Sequence, residues 1–208
     1  MTKFRRMTAV AFPAFLVCGC AGGAAAGLPV VSLRSPDGAV EFSFSLETRE
    51  GKENVPVYGV SYRGSELIAD SRMGLELAGS GPLDAGFSLV SLEKRESDTV
   101  SRVLFGKHAY ARDHYREAVV SLAENGPDGR KLDIVLRAYD DGIAFRYSLP
   151  EQKNLSAFGI KEELTEFSIA GNPKATYLPL DFGTPYEAYY GRDRLKKIKA
   201  GTRIGLPM

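Results

Sequence analysis

Residues 35–46 read SPDGAVEFSFSL, and this stretch carries the clearest structural signal in the chain. Its first four residues are turn formers, because Pro36 fixes φ, Asp37 can hydrogen-bond its own backbone and Gly38 accepts a positive φ. Apolar side chains then occupy every second position from Val40 to Leu46. Alternation of this kind places all of them on one face of a strand. The stretch therefore predicts a turn followed by a half-buried strand, and hence a β-hairpin.

Short segments of the same kind recur along the rest of the chain. They lie at Val57–Tyr62, Gly74–Leu77, Phe87–Leu92, Arg102–Phe105, Glu117–Ala123, Leu132–Ala138, Ala144–Leu149 and Glu166–Ile169. Turn sequences separate several of them, such as ENGPDG at 124–129 and DDG at 140–142, and no long helical period occurs. Many short strands divided by turns predict an all-β fold, a large antiparallel β-sandwich.

The composition is that of an ordinary globular protein. The chain has 208 residues, of which 44% are hydrophobic and 25% are charged, and its formal net charge is +1. Acidic and basic residues are mixed along the chain, so there is no extended field of one sign to attract a nucleic acid or an anionic membrane. We therefore expect no nucleic-acid partner, and contact with a membrane only through a possible lipid anchor.

The N-terminus has the features of an export signal. Lys3, Arg5 and Arg6 precede an apolar run, Ala9–Val17, which is too short to span a bilayer. The sequence VCGC at 17–20 resembles a bacterial lipobox, with Cys20 as the lipidated residue; the alternative is ordinary cleavage after the three alanines at 24–26. We interpret residues 1–27 as a signal peptide and residues 28–208 as one domain. The expected location is the periplasm or the outer membrane of a Gram-negative bacterium, as a lipoprotein.

The usual catalytic patterns are missing from the sequence. His108 and His114 are the only histidines, and two histidines six residues apart do not form the proton-transfer site of a sugar epimerase. Both cysteines precede residue 28, and no nucleophile elbow or zinc pattern occurs. The domain itself is therefore expected to contain no catalytic residue.

Two clusters of charged residues have structural explanations that we prefer to functional ones. Asp140 and Asp141 fit a turn between two strands, where they would accept hydrogen bonds from turn amides; sugar contact is the alternative. The charged segment 112–114, RDH, fits a salt-linked surface or an interdomain contact better than a chemical site.

The segment 184–190, TPYEAYY, is the best candidate for a functional loop. Tyrosines flank the carboxylate of Glu187, so Tyr186 and Tyr189 could stack on a sugar while Glu187 supplies an oxygen ligand. An exposed glutamate on an aromatic interface loop is the competing interpretation.

Three segments together resemble the N-terminal domain of glycoside hydrolase family 97, a family of bacterial α-glucosidases and α-galactosidases of the starch-utilisation type. They are SPDG at 35–38, RDHYRE at 112–117 and LRAYDDGIAFRY at 136–147, and the similarity continues through EELTEF at 162–167. The resemblance implies a β-sandwich of the galactose-mutarotase-like type, packed on a (β/α)₈ catalytic barrel. It further implies that Glu187 contributes one ligand to a Ca²⁺ ion whose other ligands come from that barrel.

The leading hypothesis is an accessory carbohydrate-binding and pocket-forming domain of an exo-acting α-glycosidase. Its substrate would be an α-linked oligosaccharide, its partner the C-terminal (β/α)₈ barrel, and its acid and base residues would lie on the barrel. The chain alone is then a fragment without activity. The alternative is a free-standing exported lipoprotein that binds glycans.

Overall fold

The computed structural model describes residues 31–180, 183 and 188–205. Fifteen strands and two short 3₁₀ helices occur in this part of the chain. The strands are β1 (Val31–Arg34), β2 (Val40–Arg49), β3 (Lys52–Tyr62), β4 (Ser65–Arg72), β5 (Leu75–Ala78), β6 (Gly81–Leu83), β7 (Phe87–Arg102), β8 (Tyr110–Glu124), β9 (Lys131–Tyr139), β10 (Gly142–Ser148), β11 (Gly159–Glu163), β12 (Ser168–Ile169), β13 (Lys174–Pro179), β14 (Gly191–Arg194) and β15 (Ile204–Gly205). The 3₁₀ helices are Lys153–Leu155 and Leu195–Lys197. No described helix is long and apolar enough to cross a membrane.

Two antiparallel sheets pack face to face and enclose the hydrophobic core. The first has the order β1-β2-β3-β4-β12 and the second the order β10-β9-β8-β7. Strand β2 lies against β9 and β10, and β3 lies against β7. The Phe145 ring of the second sheet is 6.4 Å from that of Phe42 and 5.6 Å from that of Tyr58 in the first. The predicted all-β antiparallel sandwich is thus confirmed.

The first hairpin forms as its sequence predicts. β1 and β2 pair antiparallel from Val31↔Phe44 to Arg34↔Glu41. Asp37 Oδ1 accepts hydrogen bonds from the Ser35 hydroxyl (2.6 Å) and from the amide of Ala39 (2.9 Å). Those bonds lower the pKa of Asp37, with the Ser35 hydroxyl contributing most.

The predicted strand Arg102–Phe105 is wrong. Arg102 ends strand β7, and residues 103–105 begin the turn of the long β7–β8 hairpin, which is closed by a 2.9 Å hydrogen bond from the Val103 amide to the Ala109 carbonyl. Gly106 has a φ of 116°, which only glycine adopts readily, and it reverses the chain here. The β-rich composition of the segment masked the turn, whose glycine is followed by Lys107 and His108 rather than by a familiar turn residue.

Burial divides the described chain into two regions. In the core region, residues 31–155, the strands of the two main sheets contribute most of the buried side chains, and the remaining buried hydrophobic ones are Met73, Leu75, Leu77, Leu83 and Leu155. In the C-terminal region, residues 156–205, no described residue before Gly205 is buried. Its strands pair within two small sheets, β11-β5-β6 and β14-β13-β15, or at the edge of the first sheet as β12.

Candidate functional site

Two of the predicted loop residues, Tyr186 and Glu187, lie outside the described residues, as does the predicted lipidation site Cys20. The described part of the loop includes Tyr189, whose side chain is 97% exposed, and Tyr190, which is also exposed. Tyr189 therefore makes its ring available to a ligand or to another protein surface.

A small sheet holds both ends of this loop. The chain leaves β13 at Leu180, whose amide donates to the carbonyl of Arg203 (2.9 Å), and returns at Gly191, which begins β14 and pairs with Tyr177. A Cβ atom on Gly191 would lie 2.7 Å from Cζ of the Tyr177 ring, so only glycine allows that ring to pack here. The loop is thus fixed at both ends to strand β13 and its neighbours.

Glu166 joins the C-terminal region to the first sheet. Its carboxylate accepts hydrogen bonds from the Arg72 side chain (Nε–Oε1, 2.8 Å) and from the Arg72 amide (3.1 Å), and its carbonyl accepts one from the Tyr58 hydroxyl (2.7 Å). Arg72 holds the pKa of Glu166 below its usual range. This contact fixes the segment that leads from the sandwich towards β13 and the loop.

Asp140, Arg112 and His114 in the two charged clusters make structural contacts of the kind that we preferred. Asp140 Oδ1 accepts a hydrogen bond from the Asp37 amide (2.9 Å), so the turn at 140–141 supports the turn at 35–38. Arg112 makes a two-pronged contact with Asp98, with both distances at 2.7 Å. His114 and Arg116 both contact Glu96, at 3.3 and 3.0 Å.

The comparisons with known proteins match a single family. Residues 33–208 match the family model described as "Glycosyl-hydrolase 97 N-terminal". This chain belongs to glycoside hydrolase family 97. The match covers all but the first 32 residues of the sequence, and it confirms the resemblance drawn from the segments at 35–38, 112–117 and 136–147.

Solved structures give the same family. A glutamate-to-glutamine variant of a family 97 enzyme from Pseudoalteromonas sp. strain K8, in complex with panose, is 26% identical with a TM-score of 0.71, covering 78% of this chain and 24% of that one. A family 97 enzyme from the same strain in complex with acarbose is 26% identical with a TM-score of 0.73, covering 80% and 25%. A β-arabinopyranosidase is 25% identical with a TM-score of 0.63, covering 72% and 23%. This chain thus spans about a quarter of the length of these solved relatives.

The described part of this family 97 domain holds no cluster of three or more histidine, cysteine, aspartate or glutamate side chains that could bind a metal ion. Calcium needs about six to eight oxygen ligands, so a metal at the loop would depend on oxygens from elsewhere. A single carboxylate such as Glu187 fits one position of a shared site and cannot form the site alone.

Sequence analysis missed a buried carboxylate on the outer face of the second sheet. Glu117 is 0% exposed, and it lies between Arg137, whose Nε donates to Oε2 at 2.6 Å, and Arg95, whose Nε is 2.6 Å from Oε1. The second contact is an ion pair outside hydrogen-bonding geometry. Burial acts to raise the pKa of Glu117, but Arg95 and Arg137 outweigh it, and the pKa lies below its usual range.

The side chains of Arg95 and Arg137 cover Glu117, and an aromatic ring packs against Arg137. The guanidinium of Arg137 lies over the ring of Tyr115, 4.0 Å from its centroid, and that ring is 5.4 Å from the Tyr139 ring. The alternation of β8 places Glu117 on the side away from the core, where side chains are ordinarily exposed to solvent. The cross-strand pairs Arg95↔Glu117 and Glu117↔Arg137 supply the cover, and those pairs need the strand register, which the sequence alone does not give.

Proposed function

We propose that this chain is the accessory N-terminal domain of an exo-acting α-glycosidase, which packs on a (β/α)₈ catalytic barrel and completes its substrate pocket. The supporting observation is that strands β11 and β12 expose every residue and that none of the described residues from Ser156 to Ile204 is buried. Strands need an apolar face covered by another layer to be stable. A neighbouring domain of the same polypeptide would supply that layer.

The exposed apolar side chains of this region fit the same proposal. Phe158, Ile160 and Phe167 are exposed on or beside β11 and β12. Contiguous exposed apolar residues on a soluble domain mark an interaction surface. The Phe167 ring also contacts Tyr58 and Phe145, 6.3 and 6.5 Å away, so the surface is continuous with the core of the sandwich.

The loop at 181–190 is the part that would reach the substrate. Tyr186 and Tyr189 would stack on an α-linked oligosaccharide, and Glu187 would contribute one oxygen to a Ca²⁺ ion completed by the barrel. Support comes from the near-complete exposure of Tyr189, from the fixed ends of the loop, and from relatives in complex with panose and acarbose. The calcium would supply a fixed positive charge in the pocket, and the domain would supply one anionic ligand and an aromatic wall.

The test compares two polypeptides: the chain from Leu28 to Met208, and the longer polypeptide that continues into a barrel. We expect the shorter chain to release no glucose from panose and the longer one to release it. In the longer one, Tyr189→Ala should raise KM severalfold with little change in kcat, because an exposed ring can bind sugar but takes no part in bond breaking. Tyr190→Ala is the matched control.

Glu187→Gln in the longer polypeptide tests the calcium ligand. It keeps the size of the side chain and removes its charge, so calcium affinity and turnover should fall together, and excess calcium should restore part of the turnover. Unchanged affinity and turnover would refute the assigned ligand. A short chain that is stable, monomeric and binds panose unaided would instead favour the free-standing glycan-binding lipoprotein.

A further inference from the structure

The β7–β8 hairpin extends well beyond the sheet to which it belongs. Strand β9 pairs with β8 only from Arg116 to Ala123, whereas β7 and β8 stay paired as far as Arg102↔Tyr110. Residues 97–115 therefore form a two-stranded extension, here called the arm. Among the described residues no third strand pairs with the arm, and beyond its base, where Tyr115 is buried beside Arg137 and Tyr139, nearly all of its residues are exposed.

Large apolar side chains are concentrated at the end of the arm. Leu104 is 79% exposed and Phe105 is 88% exposed, and both lie in the turn that the Val103–Ala109 hydrogen bond closes. Val100 and Tyr110, on the two strands beside the turn, are exposed as well. The contacts that cover hydrophobic residues elsewhere in the sandwich are thus absent from this tip.

The charges of the tip have one sign. Residues 101–112, SRVLFGKHAYAR, include Arg102, Lys107 and Arg112, and no aspartate or glutamate. The acidic residues of the arm lie nearer its base, where Asp98 pairs with Arg112. Arg102 and Lys107 take part in none of the ion pairs found among the described residues.

We propose that the tip of the arm docks on an anionic phospholipid surface, with Leu104 and Phe105 inserted among the acyl chains and Arg102 and Lys107 at the headgroups. Exposed aromatic and aliphatic side chains flanked by cations are the combination that partitions into a membrane interface. Basic residues beside the inserted ones are attracted to anionic headgroups. The local charge favours an anionic phospholipid surface over an apolar protein surface, because the latter would leave the charges of Arg102 and Lys107 uncompensated. The overall net charge of +1 does not reveal this local concentration of positive charge. This proposal is independent of the proposed function.

The sequence offers a clean spectroscopic test, because the chain contains no tryptophan. Phe105→Trp places a single reporter at the tip, and Leu67→Trp places one on an exposed site of strand β4, outside both the tip and the C-terminal region. The chain should begin at Leu28, which removes the apolar run at 9–17 and keeps every residue of the hydrophobic core. Vesicles of phosphatidylcholine alone are compared with vesicles that contain ~30% phosphatidylglycerol, which gives a clearly anionic surface.

We expect the emission of the Phe105→Trp variant to shift to the blue with anionic vesicles and to be quenched by lipids brominated on the acyl chains, while the Leu67→Trp signal stays unchanged. Added to the wild-type chain, Leu104→Ser with Phe105→Ser should lower partitioning about tenfold or more, because the inserted area is lost. Leu67→Ser with Val90→Ser, at two exposed apolar residues outside the tip, is the matched control and should partition as the wild type does. Arg102→Gln with Lys107→Gln should weaken binding to the anionic vesicles, as should raised salt.

Three results would overturn the proposal. One is the absence of a blue shift with anionic vesicles. Another is equal partitioning of the tip and control variants. The third is a blue shift of the Phe105→Trp emission that occurs in the chain from Leu28 but disappears in the longer polypeptide with a barrel. The tip would then be a contact between domains. Circular dichroism of every variant checks that a loss of binding is not a loss of fold.

Discussion

The core region and the C-terminal region are both built from β-strands, yet they bury their side chains very differently. Strand β9 alternates between buried core positions and outward ones, and four of its inward residues, Leu132, Ile134, Leu136 and Ala138, are fully buried. All five residues of β11 are exposed. Backbone pairing alone therefore does not tell whether a segment carries the stability of the domain. The core region contains its own opposing sheet, whereas strands β11 and β12 of the C-terminal region expose every residue.

Substituting matched phenylalanines in the two regions should give the largest difference. Phe42 is fully buried, and its ring lies 5.7 Å from that of Tyr58. Phe42→Ala should lower the free energy of unfolding by about 3–5 kcal/mol, because it removes the ring and leaves a cavity. Phe158→Ala should cost about 1 kcal/mol or less, since Phe158 is already 46% exposed to water. Urea titration followed by circular dichroism measures both, with Phe42→Leu as the variant to use if Phe42→Ala does not fold.

Similar losses for the two alanine variants would show that the C-terminal region packs on the sandwich in solution. In the longer polypeptide with a barrel, the cost of Phe158→Ala should rise, since the same ring would then be covered by the neighbouring domain. The cost of Phe158→Ala in the two polypeptides thus measures how far the neighbouring domain buries the C-terminal region.

Glu117→Gln should have the next largest effect. The substitution removes the charge that lies between Arg95 and Arg137 and leaves both guanidinium groups without it. Breaking a fully buried pair costs about 3–5 kcal/mol, and we expect about 2–3 kcal/mol here because both arginines are partly exposed. Glu93→Gln, on the exposed part of β7, is the matched control and should be close to neutral.

The stability that Glu117 contributes should depend on pH, and the direction of its pKa shift fixes the direction of that dependence. The pKa of Glu117 is lower in the folded chain than its ordinary value of 4.5, so its contribution is fully present above that value. The contribution is lost as the pH falls through the lower folded pKa. The stability difference between wild type and Glu117→Gln should therefore be constant near pH ~6 and shrink below about pH 4. A difference that does not change with pH would mean that the ion pairs do not stabilise the fold.

The sequence was sufficient for the features that depend on neighbouring residues along the chain. Alternation from Val40 to Leu46 and the turn at 35–38 were both visible, because a strand face and a turn are encoded locally. The arm was missed, and its turn at 102–105 was taken for a strand, because the apolar residues there resemble those of a buried strand while facing water. Exposure depends on what lies opposite in space, which a local pattern does not contain.

The site was predictable only in part for the same reason. A loop that contains glycine and proline favours a surface position, and the side chain of Tyr189 is exposed there. The roles assigned to Tyr186, Glu187 and Tyr189 stay predictions, and the first two residues lie outside the described chain. The burial of Glu117 needed the register of three strands, and no spacing of residues within β8 reveals it.

The smallest predicted effect concerns the hydrogen bond that links the two regions. Tyr58 lies in the core, and its hydroxyl donates to the Glu166 carbonyl at 2.7 Å. Tyr58→Phe keeps the ring and removes only that bond, so it should cost about 1 kcal/mol. Burial raises the pKa of Tyr58 from 10.0 to about 12, so its contribution is present below the lower value and lost as the pH rises through the higher one. The difference in the free energy of unfolding between the wild type and Tyr58→Phe, measured between about pH 7 and 11, should be constant and should narrow only above about pH 10. Tyr62→Phe, on the same strand, is the exposed control. A cost of zero at neutral pH would show that this hydrogen bond adds nothing to the link between the two regions, which the Arg72–Glu166 contact and the pairing of β12 with β4 would then maintain.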